Sequence, residues 1–270
     1  MTATPLQADA GRPIRPPRSR LLPLGLVVSA AITWWAASDD FGVGFSLGEI
    51  IDNLTRGHRV LREVLSPNWA FFPQTVDPLL ETFKMAIIAS VIGCGVALPL
   101  SFLASKVTTP NSVTYLVDRG VLNVIRALPD LLYALVLVTA IGIGPLAGII
   151  ALILFNLAVT AKLLSETIDG VDTGPSEAAW AGGASRTQMI RSSVFPQILP
   201  NYIAYVLYVF ELNVRASAVI GLVGAGGIGF VLQVQMGFFA YENVAVIVAE
   251  LFVAVFLIEL VSIRLRRRLV

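Results

Sequence analysis

Charged residues that stand inside apolar sequence are the first candidates for chemistry. Glu211 and Arg215 interrupt the run 198–220, and Glu250 interrupts the run 244–263. Ionisable groups at membrane depth are costly and usually face a bundle interior or a pathway. Glu211 precedes Arg215 by four residues, the favourable orientation for a helical ion pair. With run midpoints near 209 and 254, Arg215 and Glu250 lie about 9 and about 6 Å toward the same membrane face at 1.5 Å rise per residue. Two readings fit. One is a buried Glu–Arg–Glu cluster that holds two helices together. The other is an anion path lined by Arg215 with Asn213 and Ser217, because a guanidinium fork suits a tetrahedral oxyanion.

Other chemistry is sparse. The chain has one histidine, His58, and one cysteine, Cys94, which leaves little basis for a zinc site, a disulfide framework or Ser-His catalysis. No metal ligand set and no catalytic residue is expected. Gly224-Ala-Gly226-Gly227-Ile-Gly229 has the spacing of a dinucleotide fingerprint, with Glu250 21 residues beyond. That fingerprint needs a preceding strand and a βαβ unit, whereas these glycines join two apolar helices. Gly221, Gly224, Gly226, Gly227 and Gly229 fit either an outer gate, with positive φ and backbone N–H groups toward an anion, or a tight packed turn.

The surrounding sequence belongs in a bilayer. Of 270 residues, 56% are hydrophobic and 14% charged, against about 25% charged in soluble domains; mean hydropathy is +0.79. Intrinsic disorder and nucleic-acid binding are excluded as readings of the whole chain, and a net charge of +1 names no partner. Apolar runs at 21–37, 83–104, 121–142, 146–164, 198–220 and 244–263 approach the ~20 residues that cross a bilayer core. They do not alternate as barrel strands do. The fold class is therefore all-α, a polytopic membrane bundle of six helices. Residues 1–20 read as a disordered basic tail, 21–37 as a first span rather than a signal peptide, 38–82 as an outer segment and 83–270 as the core. Leu47, Ile51, Leu54, His58, Leu61 and Leu65 give 38–82 an amphipathic helix lying on the outer membrane face or packed on the bundle. Fourteen of 19 Lys and Arg fall inside if both termini are cytoplasmic.

The connection 165–197 is then cytoplasmic, and its punctuation is dense. Ser176 can cap a helix that carries Glu177 in its first turn. Ala178 and Ala179 give it a low-bulk face, and Gly182-Gly183 ends it with a left-handed cap. Ser185 and Gln188 form a capping box for a second helix, which includes Arg186. Pro196 and Pro200 stop or kink that helix before the next span. Two short helices meeting at a glycine turn let another protein's groove approach closely.

Glu177-Ala178-Ala179, then Gly183, then Ser193-Val194-Phe195-Pro196 resembles the EAA motif of ABC-importer permeases, E-A-A-x3-G-x9-I-x-L-P. Ser193 and Phe195 replace the usual Ile and Leu. Together with Glu211–Arg215, the 221–229 glycines, Arg126-Ala127-Leu128-Pro129-Asp130 at an inner helix start and Gly142–Gly148, the segment 75–265 is similar to the permease subunit of phosphonate importers. The resemblance implies a type I importer architecture in a bacterial cytoplasmic membrane, built around a homodimer. It implies two cytoplasmic ATPase subunits on the 170–196 loops, carrying ATP and Mg, and an extracytoplasmic substrate-binding protein. The cargo would be a phosphonate, phosphate or phosphite. No lysine follows a glycine, so the chain has no Gly-Lys-Ser/Thr phosphate loop, and a separate chain must hydrolyse ATP. An importer for methionine or a quaternary amine shares the loop but not the Glu211–Arg215 segment. An ion-coupled secondary transporter through Glu211 or Glu250 would need no ATPase. An intramembrane protease would need a base that no span supplies.

Overall fold

A computed structural model describes residues 21–38, 48, 51 and 53–267. The basic tail 1–20 and much of 39–52 lie outside the described residues. Two units are distinct, one up to His58 and one from Arg59 onward. The first contains α1 (Leu21–Ala37), whose Ser29 and Thr33 hydroxyls donate back to the carbonyls of Leu26 and Ser29. The amphipathic α2 (Leu54–Val64) begins in it and runs into the second unit.

All regular structure among the described residues is helical, as a chain that must satisfy its own backbone in lipid requires. After a 3₁₀ turn at Trp69–Phe71 come α3 (Phe72–Leu103), α4 (Ser112–Ala127), α5 (Asp130–Ile141) and α6 (Pro145–Asp169). The chain continues through α7 (Gly174–Ala181), α8 (Arg186–Met189), a π turn (Ile190–Val194), α9 (Phe195–Gly221), α10 (Gly227–Gly237) and α11 (Tyr241–Arg266). Helices α3 and α6 form the central pair, packed through small residues: Ala86, Ala89, Gly93 and Ala97 on one, Ala147, Gly148, Ala151 and Ala158 on the other. A Cβ on Gly93 would fall 2.6 Å from Asn156 Cβ. Small side chains let membrane helices approach where no hydrophobic effect drives them together.

The count of six spans is not reproduced as such. Four helical stretches, 69–103, 145–169, 186–221 and 241–266, are long and apolar enough to cross, and α1 has only 17 residues. The run 121–142 is not one helix: α4 and α5 meet at 83°. The cause is Pro129, which drives the residue before it out of the helical region; Leu128 is extended, at φ −96° and ψ 133°. Tyr133 braces the bend by donating to the Ile125 carbonyl at 2.6 Å. Conversely, Pro196 and Pro200 do not stop a helix. Pro196 lies in the first turn of α9, where its missing N–H costs least, and the π turn before it keeps the helical path continuous from Arg186 to Gly221. The connection 221–243 holds a further helix, α10, that the run pattern did not announce.

Candidate functional site

Helix α7 starts three residues earlier than a Ser176 cap would place it. Pro175 occupies its first turn, Thr173 is the N-cap, and Ser176 is buried within the helix. Proline's fixed φ is already helical, which moves the start. The Thr173 hydroxyl donates to Glu177 Oε1 at 3.0 Å, and Gly174 N donates to Asp172 Oδ1 at 2.9 Å. The helix ends in a Schellman arrangement: Ala184 N donates to Ala179 O and Gly183 N to Trp180 O, each at 3.0 Å. Gly183 is left-handed, at φ +81°, with open space where a Cβ would stand. Ser185 and Gln188 close the capping box of α8, with Ser185 N donating to Gln188 Oε1 at 2.7 Å.

The loop is fastened below and open above. Ser193, where the EAA pattern has Ile, donates to Pro175 O at 3.0 Å. Asp172 N donates to Gln197 Oε1 at 3.1 Å, and Gln197 Nε2 donates to Asp172 O at 3.2 Å. The Arg186 guanidinium donates to Thr109 O in the α3–α4 connection. Met189, Val194 and Ile198 bury against Leu164 and Ile168, with Ala179 packed on the cluster. Glu177, Ala178, Trp180, Gly182, Gly183 and Pro196 remain exposed.

Sequence reasoning missed the node that holds this end of the bundle. Asp169 Oδ1 accepts from Ser105 Oγ and Lys106 N, each at 2.7 Å, and Oδ2 accepts from Arg119 Nη2 at 3.1 Å. Arg119 also donates to Ala104 O at 3.0 Å and stacks over Tyr115 at 4.7 Å. One signal was available. An acid in the last turn of a helix opposes the helix dipole, so Asp169 needed a partner elsewhere. Arg126, Pro129 and Asp130 line a cavity of about 290 Å³ at the α4–α5 bend, with Phe155 and Val159.

The five intramembrane polar candidates separate into three places. Glu211 and Arg215 pair on α9, and Glu211 Oε2 also accepts from Arg266 Nη2 at 3.1 Å. Asn213 and Ser217 are fully buried on another face of α9, where Asn213 Nδ2 donates to Ser90 Oγ of α3 at 2.7 Å. Glu250 accepts from Thr75 at 2.5 Å. The Glu–Arg–Glu cluster does not form: no ion pair joins Arg215 to Glu250 among the described residues. Arg215 pairs instead with Glu211 on its own helix, and Glu250 turns to Thr75 of α3. Ala218 and Leu251 both pack against the Phe71, Ile228 and Ile247 core, and Arg215 lines a groove of about 360 Å³ between α9 and α11 that also contains Glu259.

The glycine segment is packed backbone to backbone. A Cβ on Gly221 would lie 2.6 Å from Gly229 Cα and 2.8 Å from Gly226 O. Gly224, Gly226 and Gly227 take positive φ, Gly144 N donates to Gly224 O at 3.0 Å, and Ile228 N donates to Thr82 Oγ1 at 2.8 Å. Glu81 faces the start of α10 through Gly227 N at 3.4 Å. In this conformation the start of α10 meets a carboxylate and a hydroxyl of α3.

Residues 97–270 match the family model for the inner membrane component of binding-protein-dependent transport systems. The chain belongs to that family. The permease is 35% identical over 205 residues to the phosphite transport system permease protein PtxC of Stutzerimonas stutzeri, covering 76% of this chain and 74% of that one. It is 38% identical over 188 residues to the phosphate-import permease protein PhnE of Mycolicibacterium smegmatis, covering 70% of this chain and 35% of that one. Its fold matches a chain of the MetNI methionine ABC transporter in an inward-facing conformation, at 25% identity and TM-score 0.67, over 75% of this chain and 99% of that one. The permease thus has the type I ABC-importer architecture and is a multi-pass membrane transport subunit.

Proposed function

We propose that the permease moves a phosphorus oxyanion (phosphite, phosphate or a phosphonate) inward across a bacterial cytoplasmic membrane, driven by ATP hydrolysed on separate subunits. The observation that carries the drive is the α7–α8 helical pair. It is fastened to α6, α9 and the α3–α4 connection, yet presents Glu177, Ala178 and Trp180 outward. Such a pair transmits a push on its outer face into the membrane helices. Two ATPase subunits dock there, one on each copy of the permease, and a binding protein delivers cargo to the opposite face. Both termini are cytoplasmic, and the glycine turn 221–229 lies toward the outer side. No metal or cofactor is needed in this chain; ATP and Mg belong to the partner.

Two features support an anionic cargo and a second copy. The relatives' names specify phosphite and phosphate. The Arg215 side chain is 50% exposed in a groove between two membrane helices. A guanidinium open to lipid is costly, so this groove faces a water-filled path closed by a second copy.

Co-purification of the cognate ATPase with wild type and Glu177→Lys tests the drive. A lysine in the first turn of α7 opposes the dipole and removes the Thr173 contact, so ATPase recovery should fall while the permease stays folded. Equal recovery with coupled transport intact would refute the docking role.

A further inference from the structure

Glu211 is held by two arginines, not one. Its carboxylate is only 7% exposed; Oε1 meets Arg215 and Oε2 accepts from Arg266 Nη2 at 3.1 Å. Arg266 sits in the last turn of α11, and its Nε donates to Ser262 O at 3.4 Å. The three side chains carry a net charge of +1. One carboxylate cannot saturate two guanidinium forks with five N–H donors each. Arg215 gives Glu211 a single Nη2 contact and has half of its side chain open to the α9–α11 groove, whereas Arg266 is 30% exposed.

We infer that Glu211 is a counter-ion shared by Arg215 and Arg266, so that Arg215 can leave it to bind a tetrahedral oxyanion in the α9–α11 groove while Arg266 keeps Glu211 paired. The inference rests on the oxyanion-permease reading above. A lone Glu211–Arg215 pair would make a poor transport site. Releasing Arg215 would strand a buried carboxylate, which is strongly destabilising, so the guanidinium would stay put. With Arg266 in place the exchange replaces one carboxylate by one anion at Arg215 and leaves no buried charge alone. Apart from Glu259, which repels an anion, the rest of the groove lining is apolar, so Arg215 is the cationic contact that this copy offers there. A site built this way binds weakly and releases readily, as passage requires. Arg266 is then a positioning residue: it acts on the anion only through Glu211.

The test uses the permease–ATPase complex without its binding protein, with inorganic phosphite as probe and its phosphorus resonance as the readout of affinity. Transport by the complete system, including the binding protein, is measured in parallel in proteoliposomes. Arg215→Gln should abolish phosphite binding. Arg266→Gln should weaken it at least tenfold, because Glu211 then holds Arg215 alone. The double variant Arg266→Gln with Glu211→Gln should return to within threefold of wild type, since nothing then competes for Arg215. A purely structural role predicts the reverse, with the double variant no better than the single. Arg266→Gln within twofold of wild type, or no recovery in the double variant, would overturn the inference. Phosphite transport without phosphite binding by the wild-type complex would also overturn it, while leaving the permease reading intact. A wild-type system that carries no phosphorus oxyanion would remove that reading first.

Discussion

Replacing Gly183 separates backbone conformation from bulk at the turn between α7 and α8. A Cβ there meets nothing within 4 Å, so any penalty comes from φ +81° and not from a clash. A left-handed conformation costs an L-residue about 1–2 kcal/mol. Asparagine tolerates that region, and a β-branched residue there is a genuine outlier. The undocked loop relieves the strain by leaving the turn, and docking on the ATPase must restore it. A cost of about 1–2 kcal/mol corresponds to roughly a 5–30-fold change in an equilibrium. The Kd for the ATPase should therefore weaken by about that factor in Gly183→Ala, by more in Gly183→Val, and least in Gly183→Asn. Surface-immobilised permease titrated with ATPase subunit measures this directly. In the valine variant hydrolysis should continue in part but lose its stimulation by loaded binding protein. An alanine variant that binds as tightly as glycine, or an asparagine variant worse than alanine, would refute the argument from φ.

Gly221→Ala should lower thermal stability by about 1–3 kcal/mol, because its Cβ would press on Gly229 and Gly226 backbone atoms that cannot rotate away; an unchanged melting temperature in detergent would show that α9 and α10 separate at little cost. Asp169→Asn keeps the shape but removes the charge that Arg119, Ser105 and Lys106 N converge on. Hydrogen bonds to charged groups contribute about 1.5–3 kcal/mol each at most, and the node is partly solvated, so a loss of about 1–2 kcal/mol is expected in thermal unfolding, with none expected for Lys106→Ala, whose contribution is a backbone N–H. Tyr133→Phe removes the brace across the α4–α5 bend and should raise hydrogen exchange at 125–133 without lowering ATPase recovery.

The membrane class and the coupling turn were legible because each rests on local rules. Run length marks the chain as a membrane bundle without fixing each span, whereas the glycine pair and the Ser185–Gln188 box act over a few residues and the structure forms them where those rules put them. The α4–α5 bend was equally local, since Leu128 precedes a proline, but an apolar run of spanning length masked it. The partners of Glu211, Asn213 and Glu250 were not legible. They depend on how far each helix extends past its apolar run and on which face of α9 turns toward α3 or α11. Two residues' difference in rotation, about 200° of helix, separates Asn213 from Arg215. Arg266 could not be found by counting charges, because it looked like one more inner-side arginine.

The central claim is ATP-driven import of a phosphorus oxyanion through this chain. Proteoliposomes containing the permease and its ATPase, supplied with binding protein and loaded with ATP and Mg, test it most directly by accumulation of labelled phosphate, phosphite or methylphosphonate. At least one should accumulate against its gradient, in proportion to ATP hydrolysed, and accumulation should stop in Glu177→Lys. Accumulation without ATP, or of methionine in place of every phosphorus oxyanion, would contradict the account.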